Sequence, residues 1–308
     1  MKTVRNFVFS IILVTTLIMI NCKKSTVSAQ NQDEFTDLTW EYLGQEPPGT
    51  TPELFAPSVI SIQDHFVHSA PAFSPDKSEV FWSSRPDGQR YCKLFFMKMI
   101  NGRWTAPEVA SFNMDNDMNH PVFSIDGNTL YYDMGNNIWT AAKQGDSWSE
   151  PEQLPPVINS SRGQTMLCTT ANGSIYFTRY NFVEGEGVTP STEEIYVSRK
   201  INGNYAEPEK LEKNINSEYA RELDVFVAPD ESYMIIEEEN NRDQHSGLCI
   251  SYKLNDGSWS ERIIIDVGWA RFPYVSPDGN YLFFVRIGTG VFWVNTSFIE
   301  DLKPDELR

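Results

Sequence analysis

Residues 273–286 read Pro273-Tyr-Val-Ser-Pro-Asp-Gly-Asn-Tyr-Leu-Phe-Phe-Val-Arg286. Tyr274, Val275 and the run Tyr281 to Val285 are aromatic, aliphatic or β-branched, as strands prefer. Between them Pro277 fixes φ, Asp278 can bond its own backbone, and Gly279 tolerates φ > 0. The stretch therefore reads as strand, tight turn, strand.

The same pattern recurs upstream. Turns fall at Pro75-Asp76-Lys77, Ile125-Asp126-Gly127, Asn172-Gly173 and Pro229-Asp230-Glu231, so the markers 76, 126, 172, 230 and 278 step by 50, 46, 58 and 48 residues. A repeat of that size means stacked blades or solenoid units. Each turn precedes an apolar strand, such as Val80-Phe-Trp82 or Leu130-Tyr-Tyr132, and a third strand follows in every unit. In four units a further turn delivers an aromatic residue, Trp104, Trp148, Tyr205 or Trp259. A fourth strand then starts at Thr-Ala-Pro-Glu108, Ser-Glu-Pro-Glu152, Ala-Glu-Pro-Glu209 or Ser-Glu-Arg262. Proline suits an outer edge, where a missing N–H faces solvent.

Four antiparallel strands per unit at this period predict an all-β chain, a single β-propeller. The fifth unit lacks an aromatic turn and a fourth strand after Trp293. Thr51-Pro-Glu-Leu-Phe-Ala-Pro-Ser-Val-Ile60 supplies a candidate, so five blades closed by an N-terminal strand are expected, with six as the runner-up. The Ser-Pro-Asp-Gly turns, each followed by an aromatic strand, resemble the WD40-like repeats of TolB-type propellers. Trp148-Ser-Glu-Pro-Glu152 and Val291-Phe-Trp-Val-Asn295 resemble a branch of that family found in envelope lipoproteins. The resemblance implies a fold, and it leaves function open among scaffolds, peptidase gates and glycan-active enzymes. The peptidase class needs a further hydrolase domain of roughly 200 residues, and no nucleophile elbow follows the propeller, so that activity is not expected of this chain.

The first residues have a different character. Lys2 and Arg5 precede an apolar run from Phe7 to Ile20, ending at Ile18-Met-Ile-Asn-Cys22. The run has the length of a signal-peptide core, and its end resembles a lipobox with Cys22 as the lipidated residue. The expected division is a lipoprotein signal peptide over 1–21, a flexible polar tether over 22–37 and the propeller over 38–308. The expected location is a bacterial envelope, facing periplasm or exterior, with membrane attachment through the lipid. Losing Lys2 and Arg5 shifts the formal charge from −17 to −19. Such a surface repels nucleic acid, which is discarded as a partner. Of the remaining cysteines, Cys92, Cys168 and Cys249, an odd number cannot all pair and none shows metal-type spacing, so buried free thiols are expected.

In a propeller the first strands line the channel, so their opening residues converge on one mouth. These are His68, Asn119, His120, Arg162, Gln164, Arg221, Glu222, Trp269 and Arg271. Two readings stand for the arginines. Arg162, Arg221 and Arg271, with Gln164 and the face of Trp269, form a site for an acidic or hydroxyl-rich ligand. Alternatively each arginine pairs with a neighbouring carboxylate and plugs the channel. Glu222, His68 and His120 are the weak catalytic candidates, with Asp117 and Asp224 as further carboxylates for glycoside chemistry. A histidine at a strand start is more often a hydrogen-bonded core residue than a ligand, so no metal and no cofactor are expected. The sequence thus predicts a monomeric binding or scaffold module for a protein or acidic glycan ligand. The alternative is a lyase or hydrolase acting on acidic oligosaccharides.

Overall fold

The computed structural model describes residues 38–160, 163–180, 193–240 and 245–308. The expected signal peptide over 1–21, Cys22, the expected tether and Arg162 lie outside them, as do residues 181–192, which account for the 58-residue step. The described strands form five blades, each running from the channel outward. The second blade is built from Met118–Phe123, Thr129–Met134, Asn137–Gln144 and Glu152–Gln153. In the fourth the order is Ala220–Val227, Tyr233–Asn240, His245–Tyr252 and Ile263–Ile264.

Each inner hairpin is pinned by its own turn. Ser74 Oγ donates to Asp76 Oδ1 at 2.6 Å and accepts from the Glu79 N–H at 2.9 Å. Ser124 with Asp126 and Ser276 with Asp278 repeat the first bond at 2.6 Å, and Thr170 with Asn172 does so at 2.9 Å. Side chains thereby satisfy the backbone groups that a two-strand reversal leaves open.

The ring closes as expected, with a shorter strand. Glu53–Leu54 pairs antiparallel with the last inner-to-outer strand, Glu53 opposite Trp293 and Leu54 opposite Phe292. The Phe55 N–H extends the ladder to the Val291 carbonyl at 2.8 Å. Phe55, fully buried, packs its ring 4.9 Å from Phe283 and 5.0 Å from Trp293. This seam removes the open edge that a linear array of blades would expose. Among the described residues no helix is long and apolar enough to cross a membrane.

The inner strands are not regular. The register of the second blade slips between Asn119 and Val122, of the third between Thr165 and Cys168, of the fourth between Glu222 and Asp224, and of the fifth between Arg271 and Tyr274. At three of these bulges the backbone is left-handed at a residue with a side chain: His120 (φ 48°), Met166 (φ 57°) and Phe272 (φ 55°). That conformation is costly for non-glycine residues and re-aims the side chain. The bulges turn these three side chains into the channel.

Candidate functional site

The bulge layer divides the channel. On the side where the inner strands begin lies a polar cavity of about 370 Å³, bounded by His68, Asp117, Asn119, Asp133, Arg221 and Arg271 among others. Beyond His120, Met166 and Phe272 lies a smaller space of about 210 Å³, faced by Phe73, Leu167, Val225 and Tyr274. The change from polar to apolar follows the sequence, because each inner strand opens with charged or amide residues and continues into an aliphatic and aromatic run.

His120 lines both spaces. It sits opposite the second strand of its own blade, and Nδ1 lies 2.5 Å from Asp133 Oδ1. Burial alone would lower the imidazole pKa, but the Asp133 carboxylate outweighs it and raises it. Conversely, burial works to raise Asp133, and the charge on His120 holds it below the usual carboxylate range. The other nitrogen, Nε2, is buried without a hydrogen-bond partner. His68 lies across from it, ring centroids 5.0 Å apart, with Nδ1 also buried and unpartnered. Burial and then the neighbouring His120 charge push His68 down to about 4. Phe272 packs 5.1 Å from both rings. One charged and one neutral imidazole thus meet over an aromatic floor, each with an unused nitrogen.

Of the three candidate arginines, the two that are described, Arg221 and Arg271, line this cavity, and both are already paired. Arg221 Nη2 donates to Glu193 of the third blade at 2.8 Å, and Nη1 to Glu239 at 2.6 Å. Arg271 Nε donates to Glu237 Oε1, whose second oxygen accepts the Phe272 N–H at 2.9 Å. Burial pushes Glu237 up to about 7 despite that arginine. The pairing of the second sequence reading is thus present at these two arginines, which tie neighbouring blades together beside an open cavity. With Asp117 and Asp133 also present, carboxylates outnumber guanidinium groups here.

Other residues singled out from sequence lie elsewhere. Glu222 is completely buried and sits outside the polar cavity; its Oε1 accepts from Arg262 at 2.9 Å and from the Ser217 N–H at 3.1 Å. Gln164 is fully buried, its Nε2 donating to Ser160 Oγ at 2.8 Å. Trp269 is 48% exposed and away from the cavity wall. Asp117 does face the cavity, with Oδ1 accepting the Cys92 N–H at 2.7 Å. Asp224 faces the apolar side, where burial pushes it up to about 6. An acidic run such as Glu237-Glu-Glu239 at the end of a second strand ordinarily stands in solvent, but Glu237 and Glu238 are buried and salt-bridged. Sequence reasoning missed Asp133 and Glu193, which come from second and third strands. Asp133 follows the Leu130-Tyr-Tyr132 strand directly, and a carboxylate ending such a strand was the available signal.

No protein-family model and no curated protein matches the chain. Among solved structures it is similar to an Agrobacterium tumefaciens protein assigned as TolB, at 17% identity and TM-score 0.47 over 71% of this chain and 69% of that one. A gluconolactonase from Xanthomonas campestris aligns at 12% identity and TM-score 0.49, over 80% of this chain and 94% of that one. An oligogalacturonate lyase in complex with manganese aligns at 10% identity and TM-score 0.41, over 76% and 66%. These are likenesses of a propeller to propellers.

Proposed function

We propose that the protein is a binding propeller of a bacterial envelope, anchored through Cys22, whose polar channel mouth holds the end of a glycan or a polar loop of a partner protein. The observation that carries this reading is the pair of buried, unpartnered nitrogens, His68 Nδ1 and His120 Nε2, on two residues that line one polar cavity. Leaving a buried polar atom unsatisfied costs about 1–3 kcal/mol, so a ligand oxygen placed between the rings recovers that cost. His120, held charged by Asp133, is the donor; His68, neutral above about pH 4, offers a donor or an acceptor according to its tautomer. A cavity of about 370 Å³ suits one or two sugar rings or a short side chain. Because Arg221 and Arg271 are already neutralised and carboxylates are in excess, a neutral, hydroxyl-rich ligand suits this mouth better than a uronic acid.

The His120–Asp133 pair favours a second reading, a carbohydrate-active enzyme. A histidine oriented by a carboxylate is the arrangement of a general acid or base, and the charged ring here suits the acid role. Glu222 no longer serves in that scheme, since Arg262 and its blade enclose it. An array of neutral and acidic glycans and peptides separates the readings. Retention of neutral glycans by the parent and its loss in His120→Gln, with no product formed, supports binding. Turnover abolished by the same substitution favours the enzyme, and equal retention by both proteins overturns the site.

A further inference from the structure

A second cluster lies on the fourth blade, away from the polar cavity. Glu238 stands directly opposite Gly247 in the antiparallel ladder. His245, Gly247 and Cys249 alternate along one strand and therefore share a face, the same face as Glu238. One atom from each of Glu238, His245 and Cys249 falls within 4.8 Å of the others. Gly247, in the middle, carries no side chain; a Cβ there would come within 3.3 Å of the His245 ring and 3.2 Å of the Gly268 carbonyl. The glycine lets the His245 ring lie close over the strand, on the face that the three ligand-type side chains share.

We propose that Glu238, His245 and Cys249 hold a divalent cation of the zinc class, with a fourth position left to water. The donor set, one imidazole, one thiolate and one carboxylate, is of the borderline-soft kind that such ions select. Cys249 Sγ lies 3.3 Å from Glu238 Oε1, close to the roughly 3.5 Å edge of a tetrahedron with zinc–sulfur and zinc–oxygen bonds. His245, partly exposed, closes the remaining distance by a small ring movement and gives the ion its way in. Its Nε2 is buried and without a partner, as is Glu222 Oε2 nearby.

The surroundings have the form of an outer shell. Arg262 Nη1 bridges Glu238 Oε2 and Glu222 Oε1, so Glu238 is oriented with Oε1 toward the sulfur. Without a cation, two buried carboxylates share a single guanidinium, and the Cys249 thiol donates its proton to Glu238. On binding, that proton leaves to solvent and the thiolate takes its place on the ion. A divalent ion held by the Glu238 carboxylate and the Cys249 thiolate is then neutralised by its own ligands.

The test uses the full chain stripped with a chelator and titrated with cobalt(II). One equivalent is expected to give a near-ultraviolet thiolate-to-cobalt band and the visible bands of a tetrahedral site. His245→Gln, at a partly exposed position, is expected to keep the melting temperature of the metal-free protein and to weaken cobalt binding by more than about 100-fold. Cys249→Ser removes the thiolate band, whereas Cys92→Ser with Cys168→Ser retains it. Absence of the band at saturating cobalt, its survival in Cys249→Ser, or unchanged affinity in His245→Gln would overturn the site. If Cys249→Ser fails to fold, the His245→Gln titration decides alone.

Discussion

Closing the ring with an N-terminal strand makes Phe55 a structural residue of the fifth blade, and Phe55→Ala measures how much closure contributes. Its side chain is fully buried and touches three aromatic rings, Phe283 at 4.9 Å, Trp293 at 5.0 Å and Phe73 at 6.2 Å between centroids. Truncating a buried phenylalanine costs about 3–5 kcal/mol, the cavity left behind included. Contacts with rings of both the first and fifth blades place this site near the middle of that range, about 4 kcal/mol. For a ring of 38–308, an unfolding entropy of about 2.1 cal/mol/K per residue converts 4 kcal/mol into a drop of about 7 °C in Tm. Differential scanning calorimetry reads the shift, with Val109→Ala as the control. Val109 lies on an outer strand and is 43% exposed, and its truncation is expected to stay within about 0.5 kcal/mol of the parent. A Phe55→Ala protein that melts with the control would refute closure by this strand.

Three further outcomes follow from the same structure. Burial raises Glu222 to about 8, Glu237 to about 7 and Asp224 to about 6, above their ordinary values of 4.5, 4.5 and 3.8, so the folded chain binds protons that the unfolded chain releases. The contribution of these three carboxyls to stability therefore falls as pH rises from about 4 to 8, and Glu222→Gln removes about one proton's slope, roughly 1.4 kcal/mol per unit, from unfolding free energies compared across that window; an unchanged slope contradicts the assignment. Burial pushes Cys92 up to about 11 and Cys168 up to about 12, so neither is alkylated by iodoacetamide in the native protein at pH 8, and both are after denaturation; rapid native labelling of either thiol contradicts their burial. Cys22→Ser is expected to abolish incorporation of a fatty-acid probe, and labelling equal to the parent would count against the anchor.

The architecture was legible because it is written locally and repeatedly. A turn such as Ser74-Pro75-Asp76 is stabilised by bonds among residues two to five positions apart, and a tight turn before an apolar strand recurs five times, four of them with Ser or Thr at its first position. Ring closure was legible too, since the fifth unit ended one strand short and residues 51–60 supplied the missing partner. The site was only half legible. His68, His120, Arg221 and Arg271 do meet at the mouth, as first-strand openings must. Their partners depend on how one blade sits against the next, so Glu193 with Arg221, or Glu237 with Arg271, has no local signature. Glu222 illustrates the other limit: one step along an inner strand reverses the direction of a side chain, and the register shift between Glu222 and Asp224 defeats simple alternation. His120-Pro121 and Phe272-Pro273 mark two of the bulges with a proline, a signal that in hindsight locates the channel layer.

Whether the two channel imidazoles form one ligand site is read most directly by nitrogen NMR of the histidine rings. The chain has four histidines, so the spectrum is sparse enough to assign by substitution. His68 is expected to titrate near 4 and His120 above the ordinary 6.5, and saturation with a neutral glycan retained on the array is expected to shift both rings together and leave His245 unmoved. Two histidines that titrate normally and stay in place when that glycan binds would contradict a shared site.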